Sequence, residues 1–310
     1  MLSCISVRKA SVERTPSFLN RFVTCWITGE RCGMKVVLSR KGFDSVNGGI
    51  PSPIMPDGEM LSFPIPSWSE KMLSDLRFGR ESYADIYSDL AGYRCDLSCH
   101  VDPDLASCRH RKTPKGWAPA FGQANSALGY LNDTVGVEPG DLFLFFGWFH
   151  AVERIGGRYQ YVRDSGDFFR DCDLHVIWGY LQVGEIIRDY AEKAARFPWH
   201  PHADPSRRDS ENDAIFVARK HLSFAPSLPG AGLLPFDRKR VLTLEGEKRA
   251  TWKPNPVYMP NAIVNQRKNS AKGAGVYYSG IWQELALKET KRAEQWAMDM
   301  ILNKPTRRMR

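Results

Sequence analysis

The segment 99–105, CHVDPDL, carries closely spaced side chains that can perform acid–base or metal chemistry. In an extended segment, His100, Asp102 and Asp104 would alternate onto one side of the chain. Pro103 favours an extended conformation for the residue before it. Carboxylates placed in this way can bind Mg²⁺ together with substrate phosphates, or share a proton as an acid–base pair. The alternative interpretation is an Asp-Pro-Asp turn at the surface.

A second group of imidazoles lies in WHPHAD (199–204), where His200 and His202 flank Pro201. Alternation places both rings on one side of an extended chain, which leaves metal binding, phosphate binding and proton transfer open. His175 begins a long predicted strand and either reaches the same place or is a structural histidine. The cysteines and histidines between 95 and 110 fit no common zinc spacing, so Mg²⁺ remains open, zinc is not expected and no metal ligand is assigned.

The segment SRKGFDS (39–45) follows the first predicted strand and contains Arg40, Lys41 and Asp44. Its glycines match neither standard phosphate-loop spacing. Arg40 could nevertheless hold a phosphate through two hydrogen bonds while Asp44 acts as a base or orients a hydroxyl group. The alternative is a surface turn with a local Arg–Asp pair.

The elements that must position these residues are mainly strands. Apolar or alternating patterns predict strands at 34–38, 141–155, 174–187 and 212–222, with a hairpin turn at Gly156-Gly157. Helices are expected at 67–93, 121–132 and 284–303. Glu284 would then begin the last helix, where the helix dipole alone favours an acidic residue. Together, the predicted strands and helices indicate a single-domain α+β fold with a mostly antiparallel, barrel-like sheet and flanking helices.

Composition and charge favour an ordinary globular protein. The 310-residue chain has a net charge of +8, but five basic and two acidic residues lie in 1–33 and four basic residues in 304–310, so the part between them is nearly neutral. We expect 1–33 to be a disordered basic extension upstream of a natural start at Met34, or else a targeting segment, and 304–310 to be a basic tail. Seven cysteines, with neither a secretory signal nor a long apolar run, favour reduced thiols and a cytoplasmic location.

The ordered motifs SRKGFDSVNGGIPSPI, CHVDPDL, FGQANSALGYL, GVEPGDLFLFFGWF, HVIWGYLQVGEII, HPH and NDAIFVA resemble the nucleotide modification associated domain 3 family over about 34–303. The resemblance implies a role in bacterial and phage systems that make modified nucleotides or DNA bases. By position it also implies a polar site made of Arg40, Lys41, Asp44, His100, Asp102, Asp104, Gln123, His175, His200, His202 and Glu284.

Two functions follow as hypotheses, both with a nucleotide or DNA as the partner and without a membrane. The first is an enzyme that modifies a nucleotide or a DNA base, for example by group transfer. Its expected catalytic residues are Asp44, His100, Asp102, Asp104, His202 and Glu284, and its expected substrate-binding residues are Arg40, Lys41, Gln123, Trp148, His175 and His200. The alternative is a non-catalytic module that binds a modified base or nucleic acid, with Trp148 and Trp178 in an aromatic pocket. A protein that does not act on nucleic acid is a third interpretation.

Overall fold

The computed structural model describes residues 33–266, 270–280 and 282–302. From Lys35 onward the chain forms one compact unit. The predicted extension up to residue 32 and the basic tail lie outside the described residues. Within the described residues, no helix is both long and apolar enough to cross a membrane.

Fourteen strands and five α-helices make up the regular structure of the described residues. The strands are β1 (Val36–Arg40), β2 (Ser52–Ile54), β3 (Arg77–Phe78), β4 (Glu81–Ser82), β5 (Ala120–Ala124), β6 (Leu142–Ile155), β7 (Arg158–Tyr161), β8 (Leu174–Ile187), β9 (Asp213–Ala218), β10 (Ala231–Leu233), β11 (Thr251–Trp252), β12 (Ser270–Lys272), β13 (Gly275–Tyr277) and β14 (Glu284–Ala286). The helices are α1 (Tyr83–Ala91), α2 (Asn125–Gly129), α3 (Phe168–Asp171), α4 (Tyr190–Arg196) and α5 (Lys291–Leu302), with a π-helical turn at Tyr130–Val135 after α2.

One curled sheet organises the domain. Its strands follow the order β14-β1-β6-β8-β9-β5, with β2 and β7 also paired to β6 and β10 paired to β8. Strands β1 and β2 run parallel to β6, and the other pairings are antiparallel. The predicted α+β class and the mostly antiparallel, barrel-like sheet are therefore confirmed, in the form of a half-barrel.

The curl brings the two end strands of this order together. Gln123 on β5 donates a hydrogen bond of 2.6 Å from Nε2 to Oε1 of Glu284 on β14. Between them lies an aromatic core, in which the Phe121 ring is 5.0 Å from that of Phe143 and 5.2 Å from that of Phe145. These three rings are fully buried. The polar side chains of Gln123 and Glu284, from the two ends of the strand order, meet beside them.

The strand predictions agree closely with the structure. Strand β8 has the predicted bounds, and β1 overlaps the expected first strand. The Gly156-Gly157 turn joins β6 to β7, with φ angles of +58° and +84° that glycine adopts without steric cost. The expected strand at 212–222 is shorter, as β9 ends at Ala218.

The helix predictions were wrong in extent at all three places. In 67–93, α1 begins only after Ser82, whose Oγ accepts the Asp85 N–H at 3.1 Å, because the preceding backbone bridges to other loops, for example Met72 to Ser98. The segment 121–132 begins as β5, which pairs with β9, and becomes helical at Asn125.

Glu284 does not begin the last helix. It lies on β14, where it pairs with Ser39 of β1, and α5 begins at Lys291. On this helix Ala297, Met300 and Ile301 are buried, and Trp296 is half-buried. Strand pairing with β1 outweighs the local helical pattern because it places Glu284 against buried polar partners.

Candidate functional site

The centre of the candidate site is the carboxylate of Asp102, whose side chain is 4% exposed. The backbone N–H of Gly122, on β5, donates a 2.6 Å hydrogen bond to its Oδ1. The Nε2 atoms of His100 and His202 each lie 3.7 Å from its Oδ2, and the Nε2 atom of His200 lies 3.7 Å from its Oδ1. One carboxylate is thus surrounded by three imidazoles from two separate parts of the chain.

Asp213, at the start of β9, orients the His202 ring. Its Oδ2 lies 3.0 Å from His202 Nδ1 and 2.8 Å from Nη1 of Arg207, and its Oδ1 accepts from Nζ of Lys193 at 2.7 Å. Burial opposes ionisation of Asp213, but the hydrogen bonds from His202 and Lys193 outweigh burial and lower its pKa to about 2. Because an ionised Asp213 only accepts, His202 Nδ1 carries the hydrogen and Nε2 presents a lone pair towards Asp102.

His200 has the opposite tautomer. Its Nδ1 accepts the backbone N–H of His202 at 3.2 Å, which caps the short 3₁₀ turn Pro201–Ala203. Burial lowers the pKa of His200 to about 3, so the ring is neutral at pH 7 and its hydrogen sits on Nε2. That Nε2 finds no hydrogen-bond partner among the residues that the structure describes, and it points at Asp102.

Gly122 leaves the space that His202 occupies. A Cβ atom at position 122 would lie 2.1 Å from Cδ2 and 2.6 Å from Nε2 of the His202 ring. Any side chain there would displace the imidazole. The motif FGQ contains this glycine, but the sequence carries no signal that its neighbour is a histidine 80 positions later.

A second buried carboxylate, Glu284, lies beside this centre. Its Oε1 accepts hydrogen bonds from Ser39 Oγ at 3.0 Å and Gln123 Nε2 at 2.6 Å, and lies 3.4 Å from Nζ of Lys41. Lys41 Nζ also lies 4.6 Å from the centroid of the Phe121 ring, over its face. Lys41 therefore lies in an apolar setting with a carboxylate partner already in place.

The charge of Lys41 reaches Asp102 as well. Burial opposes ionisation of Asp102, yet His100, His202, His200 and Lys41 together hold its pKa well below the ordinary value. Glu284 Oε2 is buried and has no hydrogen-bond partner among the described residues. Lys41 thus links the carboxylates of Asp102 and Glu284 electrostatically. His100 is a partner of the first carboxylate and Ser39 of the second.

Three predicted site residues lie apart from this centre. Arg40 Nη1 pairs with Asp44 Oδ2 at 3.2 Å, and Asp44 also accepts the backbone N–H groups of Val46 and Asn47, which is the geometry of the alternative surface turn. Asp104 faces His110, whose Nε2 lies 2.7 Å from its Oδ2. Asp104 therefore has its own histidine partner, whereas His100, His200 and His202 face Asp102.

The reason lies in the backbone around Asp104. Its N–H and C=O exchange hydrogen bonds with Ala120 at 2.9 and 3.0 Å, at the start of β5, and the indole of Trp117 donates to Oδ2 at 3.0 Å. These bonds fix the carboxylate on the His110 side. Next to it, Asp102, Asp104 and His110 line a cavity of about 50 Å³, which has room for water but not for a nucleotide.

His175 and Trp148 also belong elsewhere. His175 Nδ1 accepts from the indole N–H of Trp252 at 3.0 Å, and burial lowers the pKa of this histidine to about 3. The expectation that it reaches His200 is wrong, since its ring contacts are Phe146, Trp252 and Tyr278.

Trp148 lines a separate open cleft. The Arg249 guanidinium lies 4.1 Å from the centroid of its ring. The cleft has a volume of about 950 Å³, and Tyr161, Arg163 and Lys248 also line it. This size lies within the range of small-molecule pockets, and the lining combines aromatic rings and cations with the carboxylates of Asp171, Asp173 and Glu247.

Sequence reasoning missed several residues that position the centre. No role in the site was predicted for Asp213, Lys193, Gly122 or Ser39. Only the structure shows that Lys193 and Asp213 are buried as an ion pair, because each is costly to bury alone.

Fold and site together define a class of protein: an α+β half-barrel whose curled edges enclose a buried carboxylate–histidine centre. The model of the family described as nucleotide modification associated domain 3 matches residues 35–299. The chain belongs to this family. No curated protein and no solved structure matches it.

Proposed function

We propose that this protein is an enzyme that modifies a nucleotide or a base in DNA, with the Asp102–histidine centre as its reactive site. The description of its family, nucleotide modification associated domain 3, supports a role in nucleotide modification. The observation that carries the step to catalysis is the convergence of three imidazoles on one buried, ionised carboxylate. A structural core is more stable without such a group, because burying charge is costly unless it is fully paired.

The chemistry that suits this centre is proton transfer coupled to group transfer onto a base. An imidazole beside a carboxylate can accept and return a proton at neutral pH. Because burial lowers the pKa of both His200 and His202, His100 is the candidate for this step. Lys41, held by Glu284, supplies a positive charge for negative charge that develops during the reaction. His100, with a side chain 15% exposed, lies at the outer side of the cluster.

The test compares three forms of the full chain expressed in bacteria: wild type, Asp102→Asn, and Asp209→Asn as a control at an exposed position. Nucleosides from the DNA and from the nucleotide pool are measured by mass spectrometry. We expect a new nucleoside mass with wild type and with Asp209→Asn, and its loss with Asp102→Asn at unchanged melting temperature. Equal product from Asp102→Asn would contradict the assignment of the centre.

A second function, non-catalytic binding of a base or nucleotide, is supported by the Trp148 cleft. A base stacked on Trp148 contributes about 1–3 kcal/mol. Arg163 and Lys248 line the same cleft and suit a phosphate, whereas Arg249 already lies over the Trp148 ring and 3.7 Å from Asp173. If this function is correct, Trp148→Ala weakens binding of nucleotides or short DNA, whereas Asp102→Asn leaves both binding and nucleoside masses unchanged.

A further inference from the structure

We propose that His100, Asp102 and His202 bind one divalent transition-metal ion. Their ligating atoms, two imidazole nitrogens and one carboxylate oxygen, all lie within 4.8 Å of one another. Asp102 uses its two oxygens differently, since Oδ1 accepts from Gly122 N–H at 2.6 Å while Oδ2 faces the two imidazoles. One oxygen is thus held in place and the other is available as a ligand.

The distances fit ligands around an ion better than a direct hydrogen bond. Both Nε2–Oδ2 separations, from His100 and from His202, are 3.7 Å. A hydrogen bond between such groups would be about 2.7–3.0 Å. Metal–nitrogen and metal–oxygen bonds of about 2.0–2.2 Å at a tetrahedral angle separate two ligand atoms by about 3.4 Å. The two nitrogen–oxygen separations therefore need a contraction of only a few tenths of an ångström. The two imidazole nitrogens lie within 4.8 Å of each other and would close by at most about 1.4 Å.

The tautomer of His202 is the one that a metal ligand requires. Its Nδ1 hydrogen is donated to Asp213 at 3.0 Å, so the Nε2 lone pair faces Oδ2 of Asp102. Two electron-rich atoms that face each other are stabilised by a cation between them. A metal-bound histidine commonly donates its other N–H to a carboxylate, which fixes the ring and raises its basicity. Asp213, held by Lys193 and Arg207, fits this role.

His200 provides independent support although it is not a ligand in this assignment. Its Nε2 carries a hydrogen, because its Nδ1 accepts the backbone N–H of His202. This fully buried N–H points at Asp102 and has no partner among the described residues. An oxygen bound to the ion, from water or substrate, would accept this hydrogen and satisfy the buried group.

The ligand set selects the class of metal. Mg²⁺ and Ca²⁺ prefer oxygen ligands, whereas imidazole suits first-row transition metals and zinc. Two histidines and one carboxylate leave coordination positions open, as in catalytic rather than structural sites. The inference therefore favours a first-row divalent ion over the Mg²⁺ considered from the sequence, and it uses no cysteine.

The test measures binding directly on the full chain without a histidine tag, after treatment with a chelator. Co²⁺ is the probe, followed by its visible absorption and by titration calorimetry. We expect one equivalent of Co²⁺ to bind, Zn²⁺ to displace it, and excess Mg²⁺ to leave the spectrum unchanged. A stoichiometry of zero, or displacement by Mg²⁺ at similar concentration, would overturn the proposal.

Variants locate the site. We expect His100→Ala to weaken Co²⁺ binding by at least about 100-fold, because loss of an outer-shell partner alone costs 10–100-fold. Asp102→Asn should have a comparable effect, whereas His221→Ala, at an exposed histidine, should bind like wild type. His100→Ala is the primary variant because His100 is the most exposed of the three ligand side chains, at 15% against 4% for Asp102 and 5% for His202, so its truncation disturbs packing least. Equal affinities for His100→Ala and His221→Ala would refute the assignment.

The metal inference and the proposed function can fail separately. Co²⁺ titration requires no nucleotide, so a metal-bound protein that forms no modified nucleoside counts against the function alone. Conversely, a modified nucleoside whose formation needs Asp102 but survives complete metal removal counts against the metal alone.

Discussion

Substitution of Gly122 by alanine tests the geometry of the centre most directly. The added Cβ would lie 2.1 Å from Cδ2 of the His202 ring, whereas ordinary contact begins near 3.4 Å. The ring must therefore move by more than about 1 Å, away from a position that Asp213 fixes through a 3.0 Å hydrogen bond. Overpacking of this kind costs about 1–3 kcal/mol.

Two readouts check this prediction. Chemical denaturation should show a free energy of unfolding lowered by about 1–3 kcal/mol, which corresponds to a melting temperature lower by about 2–4 °C per kcal/mol. Co²⁺ affinity should fall by about 10–100-fold, because His202 loses the orientation that Asp213 imposes. The second readout separates a displaced ligand from a general loss of stability.

Gly129→Ala is the matched control. Gly129 has helical dihedral angles, and the nearest atoms to an added Cβ, on Asn212 and Asp133, are 3.7 Å away. This change should raise the free energy of unfolding by about 0.4–1 kcal/mol and leave Co²⁺ binding unchanged. If Gly122→Ala matched Gly129→Ala in both stability and metal affinity, the close packing of His202 on Gly122 would be refuted.

Three further predictions test the half-barrel and its buried charges. Gln123→Leu removes the hydrogen bond that Gln123 donates to buried Glu284 and should lower the free energy of unfolding by about 1–3 kcal/mol. A double-mutant cycle with Glu284→Gln should give a coupling energy above about 0.5 kcal/mol. Additive effects of the two substitutions would mean that these side chains do not link the end strands. Burial lowers the pKa of His175 to about 3, so its neutral form contributes fully to the free energy of unfolding above pH 6.5, and this contribution declines towards pH 3 by at most about 1.4 kcal/mol per pH unit. Chemical denaturation of His175→Gln at several pH values should lack this decline. A difference in free energy of unfolding between wild type and His175→Gln that does not change with pH would contradict the prediction. Lys193→Met leaves buried Asp213 without its closest cation and should lower the free energy of unfolding by about 3–5 kcal/mol. The double variant with Asp213→Asn should recover part of this loss. A loss below about 1 kcal/mol would show that the ion pair is dispensable.

The central strands and the hairpin between β6 and β7 could be predicted from the amino-acid sequence alone. The run 174–187 is rich in β-branched and aromatic residues, and such a run buried on both faces has few alternatives to a strand. The glycine pair at 156 and 157 allows a turn with two positive φ angles, which leaves little choice of connection. These sequence signals are local, so the strand and the turn can be predicted without knowing which strands pair.

Helix boundaries and the position of Glu284 were decided by tertiary structure. The residues from 284 to 290 have helical character locally, yet pairing with β1 places Glu284 beside Ser39, Lys41 and Gln123. A buried carboxylate needs such partners, and the energy of that requirement exceeds the small differences in intrinsic propensity.

For the site, the sequence supplied the residue types and the tertiary structure chose among them. His100, Asp102, His200 and His202 were all predicted, but their meeting depends on the curl that brings β5 beside the loop at 100–104. Asp104 is held beside His110 by its bonds to Ala120 and Trp117, Asp44 closes a local turn, and Trp148 lines another cleft, although spacing made them equal candidates. Alternation along a chain fixes which side a residue takes only while the backbone stays extended. Which distant segments come to face each other is set by how the whole sheet packs its aromatic core.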